Sequence, residues 1–197
     1  SQNTSSLLNE RSLKVLSIES TAQDAVKITL GSLNEEPIDF HPGQFLTLSL
    51  EMDGHTVKRP YSICSPASQT ETISIGVRQI EDGRVSTYLN QDLKVGDHIG
   101  AYGPSGDYGL QVEDVPESIV CIAGGSGITP QLSILRHVLE QSESSQATLL
   151  FINRTEQTAM FTEELSALQN DFGKRFTQHN FFSRSGSKLA KTKLKRL

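Results

Sequence analysis

The sequence predicts two folds in succession: an all-β antiparallel barrel, then a partial α/β domain built on a parallel sheet. Three observations carry that reading. Short segments alternating apolar and polar residues recur from about residue 13 to 102, separated by turn-forming pairs. Near Val115-Pro116 the rhythm changes to continuous apolar runs interleaved with helical periodicity. The run Gly124-Gly125-Ser126-Gly127-Ile128-Thr129-Pro130 closes one apolar stretch and opens an amphipathic one. A chain of 197 residues can bury one generous core or two modest ones. The change of rhythm puts the boundary at residues 108–116, with a first domain over 8–110 and a second over 115–197.

Taken in order, residues 13–18 and 25–30 are rich in β-formers and alternate, and 45–50 and 72–77 continue the period of two. Turns fall at 34–37, Pro42-Gly43, Asp53-Gly54, Asp82-Gly83 and Gly96-Asp97. Many short strands at this spacing argue for a closed antiparallel barrel or a sandwich. Ser86 is placed to cap a short helix reaching Leu89 and Asn90. Residues 118–123 read as a strand covered on both faces. Thr129 suits an N-cap and Pro130 a first helical position, and the helix over 130–140 then lines up Leu132, Leu135, Val138 and Leu139. A second buried strand follows at 147–152. Phe161, Leu165 and Leu168 mark a second helix, and 176–182 a third strand. Strand–helix–strand–helix–strand implies parallel pairing through right-handed crossovers.

The composition removes several classes of function. A formal net charge of -5 gives no reason to expect nucleic acid. Cys64 and Cys121 are the only cysteines, which excludes a four-thiolate cluster or a cysteine-based zinc site within the chain. His41, His55, His98, His137 and His179 show no metal-ligand spacing, so no metal is expected. The polar start lacks a signal-peptide pattern, and no apolar stretch approaches the roughly 20 residues that span a bilayer. A cytoplasmic protein with reduced thiols and no membrane contact is the expectation.

Two runs carry the chemistry. Gly124, Gly125 and Gly127 directly follow a strand. Without Cβ atoms the backbone turns tightly and brings its N–H groups against a pyrophosphate, at the positive end of the helix that follows. Pro130 stands where the third glycine of a G-x-G-x-x-G run would be, which disfavours an ordinary Rossmann dehydrogenase. Arg59-Pro60-Tyr61-Ser62 sets a guanidinium, an aromatic ring and a hydroxyl side by side. That suits the phosphate, ring and N5 edge of a flavin, although taken alone the run reads more readily as a barrel strand with a surface arginine. Gly83-Arg84-Val85-Ser86-Thr87, some twenty residues on, adds a second anion-binding helix start.

With Pro42-Gly43-Gln44-Phe45 and Gly103-Pro104-Ser105-Gly106, these runs make five motifs in one order. In them the chain resembles the ferredoxin–NADP reductase superfamily, in particular bacterial oxidoreductases related to flavodoxin reductases and phenylacetate-degradation reductase subunits. The resemblance extends from about residue 10 to Arg184. It implies a six-stranded FAD-binding barrel, an α/β nicotinamide-binding domain, and a flavin at their junction, FAD rather than FMN. By the same resemblance Arg59 contacts the flavin phosphates, Tyr61 lies against the ring and ribityl chain, and Ser62 hydrogen-bonds near N5. Gly83, Arg84, Val85, Ser86 and Thr87 hold the pyrophosphate, Val77 and Arg78 flank the ribityl or adenosine part, and Thr129 approaches the nicotinamide. Tyr61, Ser62 and Thr129 are therefore the expected catalytic residues, with Gly124, Gly125 and Gly127 in the dinucleotide turn.

The implied activity is hydride transfer from NADPH or NADH to the flavin, then single electrons to a separate ferredoxin, flavodoxin or iron–sulfur oxygenase component. Ser183 and Arg184, with Lys188 nearby, suit a 2′-phosphate, and no carboxylate closes the second strand at Ile152-Asn153-Arg154-Thr155. Two alternatives stay open: a non-catalytic flavin-binding relay or regulatory subunit, and a reductase using free flavin as substrate. The resemblance also implies two further strands, some 40 to 60 residues with a Cys-Gly-Pro run. The second domain is thus expected to be truncated, its basic residues 188–197 being either a docking helix or the start of the next helix.

Overall fold

A computed structural model describes residues 9–34 and 36–183. Arg184, the basic segment 188–197, the first eight residues and Glu35 of the 34–37 turn lie outside the described residues.

The first half forms six strands: β1 (Arg11–Ala22), β2 (Ala25–Ser32), β3 (Phe45–Met52), β4 (His55–Ser62), β5 (Thr72–Arg78) and β6 (His98–Ser105). One helix, α1 (Arg84–Gln91), stands between β5 and β6. All strand pairs are antiparallel, in the order β4-β3-β6-β1-β2-β5. The sheet curls until its two edge strands meet. An Ile63–Ile75 bridge and a hydrogen bond from the Cys64 N–H to the Ser74 carbonyl (2.8 Å) close the seam at one end only. Alternation explains the interior: Leu13, Val15, Ile28, Leu30, Leu46, Leu48, Ile73 and Ile75 all point inward and are fully buried. Val85 and Leu89 of α1 plug this same core.

The second half is a three-stranded parallel sheet, β7 (Ser118–Gly124), β8 (Gln146–Asn153) and β9 (Phe176–Phe182), in that spatial order. Helices α2 (Ile128–Gln141) and α3 (Thr162–Phe172) make the crossovers. Both crossovers step the same way along the sheet, so right-handedness puts both helices on one face. This corrects the expectation that β7 is covered on both sides. Cys121 and Ala123 are buried beneath the helices, whereas Val120 and Ile122, on the opposite face, are 64% and 63% exposed. Among the described residues no element covers that face. Phe151, Phe161 and Phe176 are fully buried, each worth about 1.5–3 kcal/mol by area. Burial pushes the Cys64 thiol up to about 12 and that of Cys121 up to about 11, so both are inert core groups. Among the described residues no helix is long and apolar enough to cross a membrane.

Two helix starts differ from expectation. α2 begins at Ile128, with Gly127 as N-cap, because a 3-10 turn over Gly125–Gly127 runs straight into it. Thr129 is therefore inside the first turn, and its Oγ1 donates to the Ser126 carbonyl (2.8 Å). In α1 the N-cap is Gly83, not Ser86. Ser86 Oγ instead reaches back, donating to the Gly83 carbonyl (3.0 Å) and accepting from the Ile80 N–H (3.2 Å).

α2 ends at its C-cap Ser142, which is extended rather than left-handed. The Arg175 guanidinium, from the turn before β9, supplies the donors: it bonds to the carbonyls of Leu139 (3.2 Å), Ser142 (2.6 Å) and Ser145 (3.3 Å) and stacks over the Phe172 ring. Arg175→Ala leaves three carbonyls short of a donor and is expected to cost about 1–3 kcal/mol in denaturant unfolding. Arg175→Lys should recover only part of that, because an ammonium cannot reproduce the planar fork.

Candidate functional site

Where the barrel seam stays open, between β4 and the segment leading into α1, lies a cavity of about 360 Å³. Its walls bring together Arg59, Tyr61, Gly83, Arg84, Val85 and Ser86, with Met52, Val57, Ile80, Glu81 and Asp82. The Asp53-Gly54 hairpin makes this possible. It returns the chain from β3 to β4 in a register pairing Leu48 with Arg59 and Leu46 with Tyr61. Leu46 and Leu48 fill the core, while Arg59 and Tyr61 flank the opening. An adjoining open hollow of about 470 Å³ runs along α1 and is lined by Met52, Asp82, Gly83, Arg84, Thr87, Tyr88 and Asp92.

The electrostatics favour an anion at one end. Arg84 pairs with Asp53 across the cavity mouth. Arg59 makes a hydrogen bond to the Lys58 carbonyl (2.8 Å), and no carboxylate of the described residues pairs with it. The first turn of α1 holds no acidic residue, so the N–H groups at its start keep their partial positive charge, although Glu81 and Asp82, just before it, line the same cavity. Burial raises the Tyr61 hydroxyl above its ordinary value, with the Arg59 charge working the other way. The ring therefore stays neutral and offers an apolar wall. A cationic end, a helix start and a flat half-buried ring fit a flavin nucleotide better than a compact ligand.

The glycine turn lies in the second domain, at the carboxyl ends of β7 and β8. Gly125 takes φ +53, and a Cβ at Gly125 or Gly127 would meet nothing within 4 Å. The turn is open above, which leaves room for phosphates rather than a packed loop. Ser183, beyond the end of β9, is exposed.

The other expected site residues lie elsewhere. Ser62 ends β4, partly exposed, opposite Phe45. Val77 is fully buried in the barrel core. Arg78 donates to both carboxylate oxygens of Asp24 (2.9 Å each) and to the Thr158 carbonyl, tying the barrel to the second domain. Thr129 is 2% exposed and packs against Gly76 of β5. The junction also holds Lys27, which bonds to Glu164 (3.0 Å) and Glu19 (2.9 Å). Burial alone would lower the Lys27 ammonium, but those two carboxylates outweigh it and hold it above its ordinary value. Met52, Val57, Ile80, Glu81 and Asp82 are cavity residues that the motifs do not reveal; the signal available was their position flanking Asp53-Gly54 and preceding Gly83. Gln44 of the Pro42-Gly43-Gln44-Phe45 run is 3% exposed and staples the His41 N–H to the Gly106 carbonyl.

Residues 12–109 match the model of the oxidoreductase FAD-binding domain, and residues 121–194 that of the oxidoreductase NAD-binding domain. The chain is 38% identical over 175 residues to a 1,2-phenylacetyl-CoA epoxidase subunit of Escherichia coli, covering 87% of this chain and 49% of that protein. It is 38% identical over 127 residues to the glycine betaine monooxygenase reductase subunit of Chromohalobacter salexigens, covering 64% of this chain and 34% of that one. The chain thus spans half or less of the length of these relatives. Among solved structures it resembles the flavohem-like FAD/NAD-binding domain of Vibrio cholerae nitric oxide dioxygenase, with TM-score 0.77, 26% identity, and coverage of 87% of this chain and 73% of that one. It also resembles the Amycolatopsis cytochrome P450 reductase GcoB, with TM-score 0.77, 25% identity, and coverage of 88% and 52%.

The packing at Gly76 yields a test of how the two halves are joined. A Cβ there would stand 2.7 Å from Phe161 Cζ and 2.8 Å from both Cγ2 and Oγ1 of Thr129. Gly76→Val is expected to lower stability by about 1–3 kcal/mol and to speed limited proteolysis between the domains at residues 106–117, while Gly54→Ala leaves that cleavage rate unchanged.

Proposed function

The chain belongs to the oxidoreductases that join an FAD-binding to an NAD-binding domain, in the ferredoxin–NADP reductase superfamily, and on that premise we propose that it takes hydride from a nicotinamide dinucleotide and releases single electrons to a separate acceptor protein. The observation that carries this is the pairing of two anion-ready sites on one rigid junction: the Arg59–Tyr61–α1 cavity on the barrel, and the open glycine turn at the start of α2.

A bound flavin supplies the hydride acceptor and the one-electron donor that protein side chains lack. Everything else falls to this chain's residues. Arg59 and the α1 N–H groups of residues 84–86 balance the phosphate charge, with the Thr87 hydroxyl beside them. Gly83 lets the chain turn close to those phosphates, and Tyr61 supplies a flat wall for the ring. Ser62, at the end of β4, offers a hydroxyl toward the reacting edge. Gly124, Gly125 and Gly127 seat the dinucleotide's pyrophosphate, and Thr129, anchored against Gly76, fixes how far α2 stands from the barrel. Val77 and Arg78 act from behind, through the core and the Asp24–Thr158 tie, in holding that spacing. A near-attack geometry needs the reacting atoms about 3–3.5 Å apart, so the stiffness of the junction is part of the catalysis.

For the coenzyme we place NADPH ahead of NADH. Ser183 and Arg184 would take the 2′-phosphate, and a carboxamide rather than a carboxylate closes β8. The acceptor would be an iron–sulfur or flavodoxin-type protein, an oxygenase component being the form suggested by the relatives' names, and the setting the cytoplasm.

Arg59→Ala is expected to lower flavin retention through gel filtration by at least tenfold, with Arg59→Lys intermediate, the two melting within a few degrees of the parent. Mixed anaerobically with NADPH, the flavin-loaded protein should bleach near the roughly 450 nm flavin band, and faster than with NADH. Flavin that stays oxidised with both coenzymes would leave the chain a relay subunit, and flavin lost on gel filtration would make it a reductase of free flavin.

A further inference from the structure

Among the described residues, few buried side-chain atoms lack a hydrogen-bond partner, and two of them belong to one group: Nδ2 and Oδ1 of Asn153. Asn153 is 5% exposed and is the last residue of β8. A carboxamide with neither its donors nor its acceptor satisfied, and shut away from water, costs on the order of 1–3 kcal/mol. Leucine or another apolar residue of similar size would fill this place at lower cost.

Its position shows what it faces. The parallel register sets Gly124 opposite Ile152, so Asn153 lies beside Gly125. The alternation of β8, with Ala147, Leu149, Phe151 and Asn153 buried, points its side chain to the sheet face that carries α2. It therefore lies beside the glycine turn, shut off from solvent. The backbone of Asn153 is well held: its carbonyl accepts from the Ser183 N–H (2.9 Å). Only the carboxamide is unspent.

A peptide group has its N–H and C=O pointing in opposite directions. When a turn rotates its N–H groups outward to a phosphate, the attached carbonyls rotate inward and need donors. Glycines make that rotation cheap. We propose that Asn153 is the positioning residue for the phosphate-binding turn: its Nδ2–H groups donate to a carbonyl of the Gly124–Gly127 segment that turns inward when a dinucleotide pyrophosphate draws the N–H groups outward. The inference rests on the dinucleotide reading of that turn given above. It explains why a polar group is kept where it weakens the ligand-free fold, since its partner arrives with the ligand.

The test separates stability from binding, using flavin-loaded protein and oxidised coenzymes, so that no turnover intervenes. Calorimetric titration with NADP⁺ and with NAD⁺, and thermal melting without either, are compared for the parent, Asn153→Leu and Asn153→Asp. Asn153→Leu removes an unsatisfied buried group and should raise the ligand-free melting temperature by a few degrees, roughly 2–4 °C. It should weaken both coenzymes by about tenfold, the loss of one useful hydrogen bond. Asn153→Asp keeps the shape, sets a carboxylate against an inward carbonyl, and should weaken both coenzymes further. A melting temperature that falls in Asn153→Leu, or coenzyme affinities within twofold of the parent in both variants, overturns the assignment and leaves Asn153 a structural residue. A parent protein that binds neither NADP⁺ nor NAD⁺ overturns instead the dinucleotide reading of the turn, and this inference with it.

Discussion

Gly76 carries no side chain because Thr129 and Phe161 of the second domain occupy the space where one would stand. Through that contact the middle of β5 lies against the first turn of α2, so the barrel and the glycine turn hold a fixed distance. The surrounding bonds depend on it. Arg78 reaches across to Thr158, Lys27 to Glu164, and Ser133 Oγ to the Ser65 carbonyl (2.8 Å), and each is in range only because the backbones approach this closely. Ala25 and Cys64 of the barrel are buried in the second domain's core for the same reason. The two domains share packed apolar surface rather than meeting only through a linker, which favours one orientation over a freely hinged pair.

The cavity beside Arg59 and Tyr61 arises from incomplete closure. A six-stranded sheet that curls until β4 meets β5 satisfies its edges at the Ile63–Ile75 bridge and leaves them apart at the other end, where α1 plugs the interior with Val85 and Leu89. An unsealed seam next to a helix start concentrates unpaired backbone donors beside Arg59. The Asp53 carboxylate then neutralises Arg84, and Glu81 and Asp82 line the same wall, so the cavity is not a uniformly cationic patch; its unpaired positive charge lies at Arg59. That asymmetry matches a ligand with an anionic end and a flat neutral end.

The barrel strands were legible because half-buried strands write a period of two into the chain, and the boundaries of β2, β3 and β5 follow it closely; β8 was legible as a short apolar run instead. The crossover helices were legible for the corresponding reason at 3.6 residues per turn. Helix starts were less so. Ser86 and Thr129 have the chemistry of caps, but the helices begin earlier, at Arg84 and Ile128, and each hydroxyl bonds back to a carbonyl three residues before it. The exposed face of β7 was not legible because Val120 and Ile122 are apolar, and residue type alone cannot say which elements are present to cover them.

Within the candidate site, sequence alone determined the residues able to meet phosphates and an aromatic ring: Arg59, Tyr61, the 83–87 run and the glycines from 124 to 127. Their chemistry is local, and a guanidinium or a Cβ-less turn has the same capacity wherever it lies. Tertiary structure decided which of them act together. It brought Arg59 and Tyr61 to Gly83 and Ser86 across the open seam, and placed Met52 and Ile80 in the same wall. It gave Arg78 to Asp24 and Thr158, sent Val77 into the core, and left the Asn153 carboxamide without a partner beside Gly125. These assignments depend on strand register, barrel curl and crossover handedness, which bring together residues far apart in the chain and so cannot be read from any window of it.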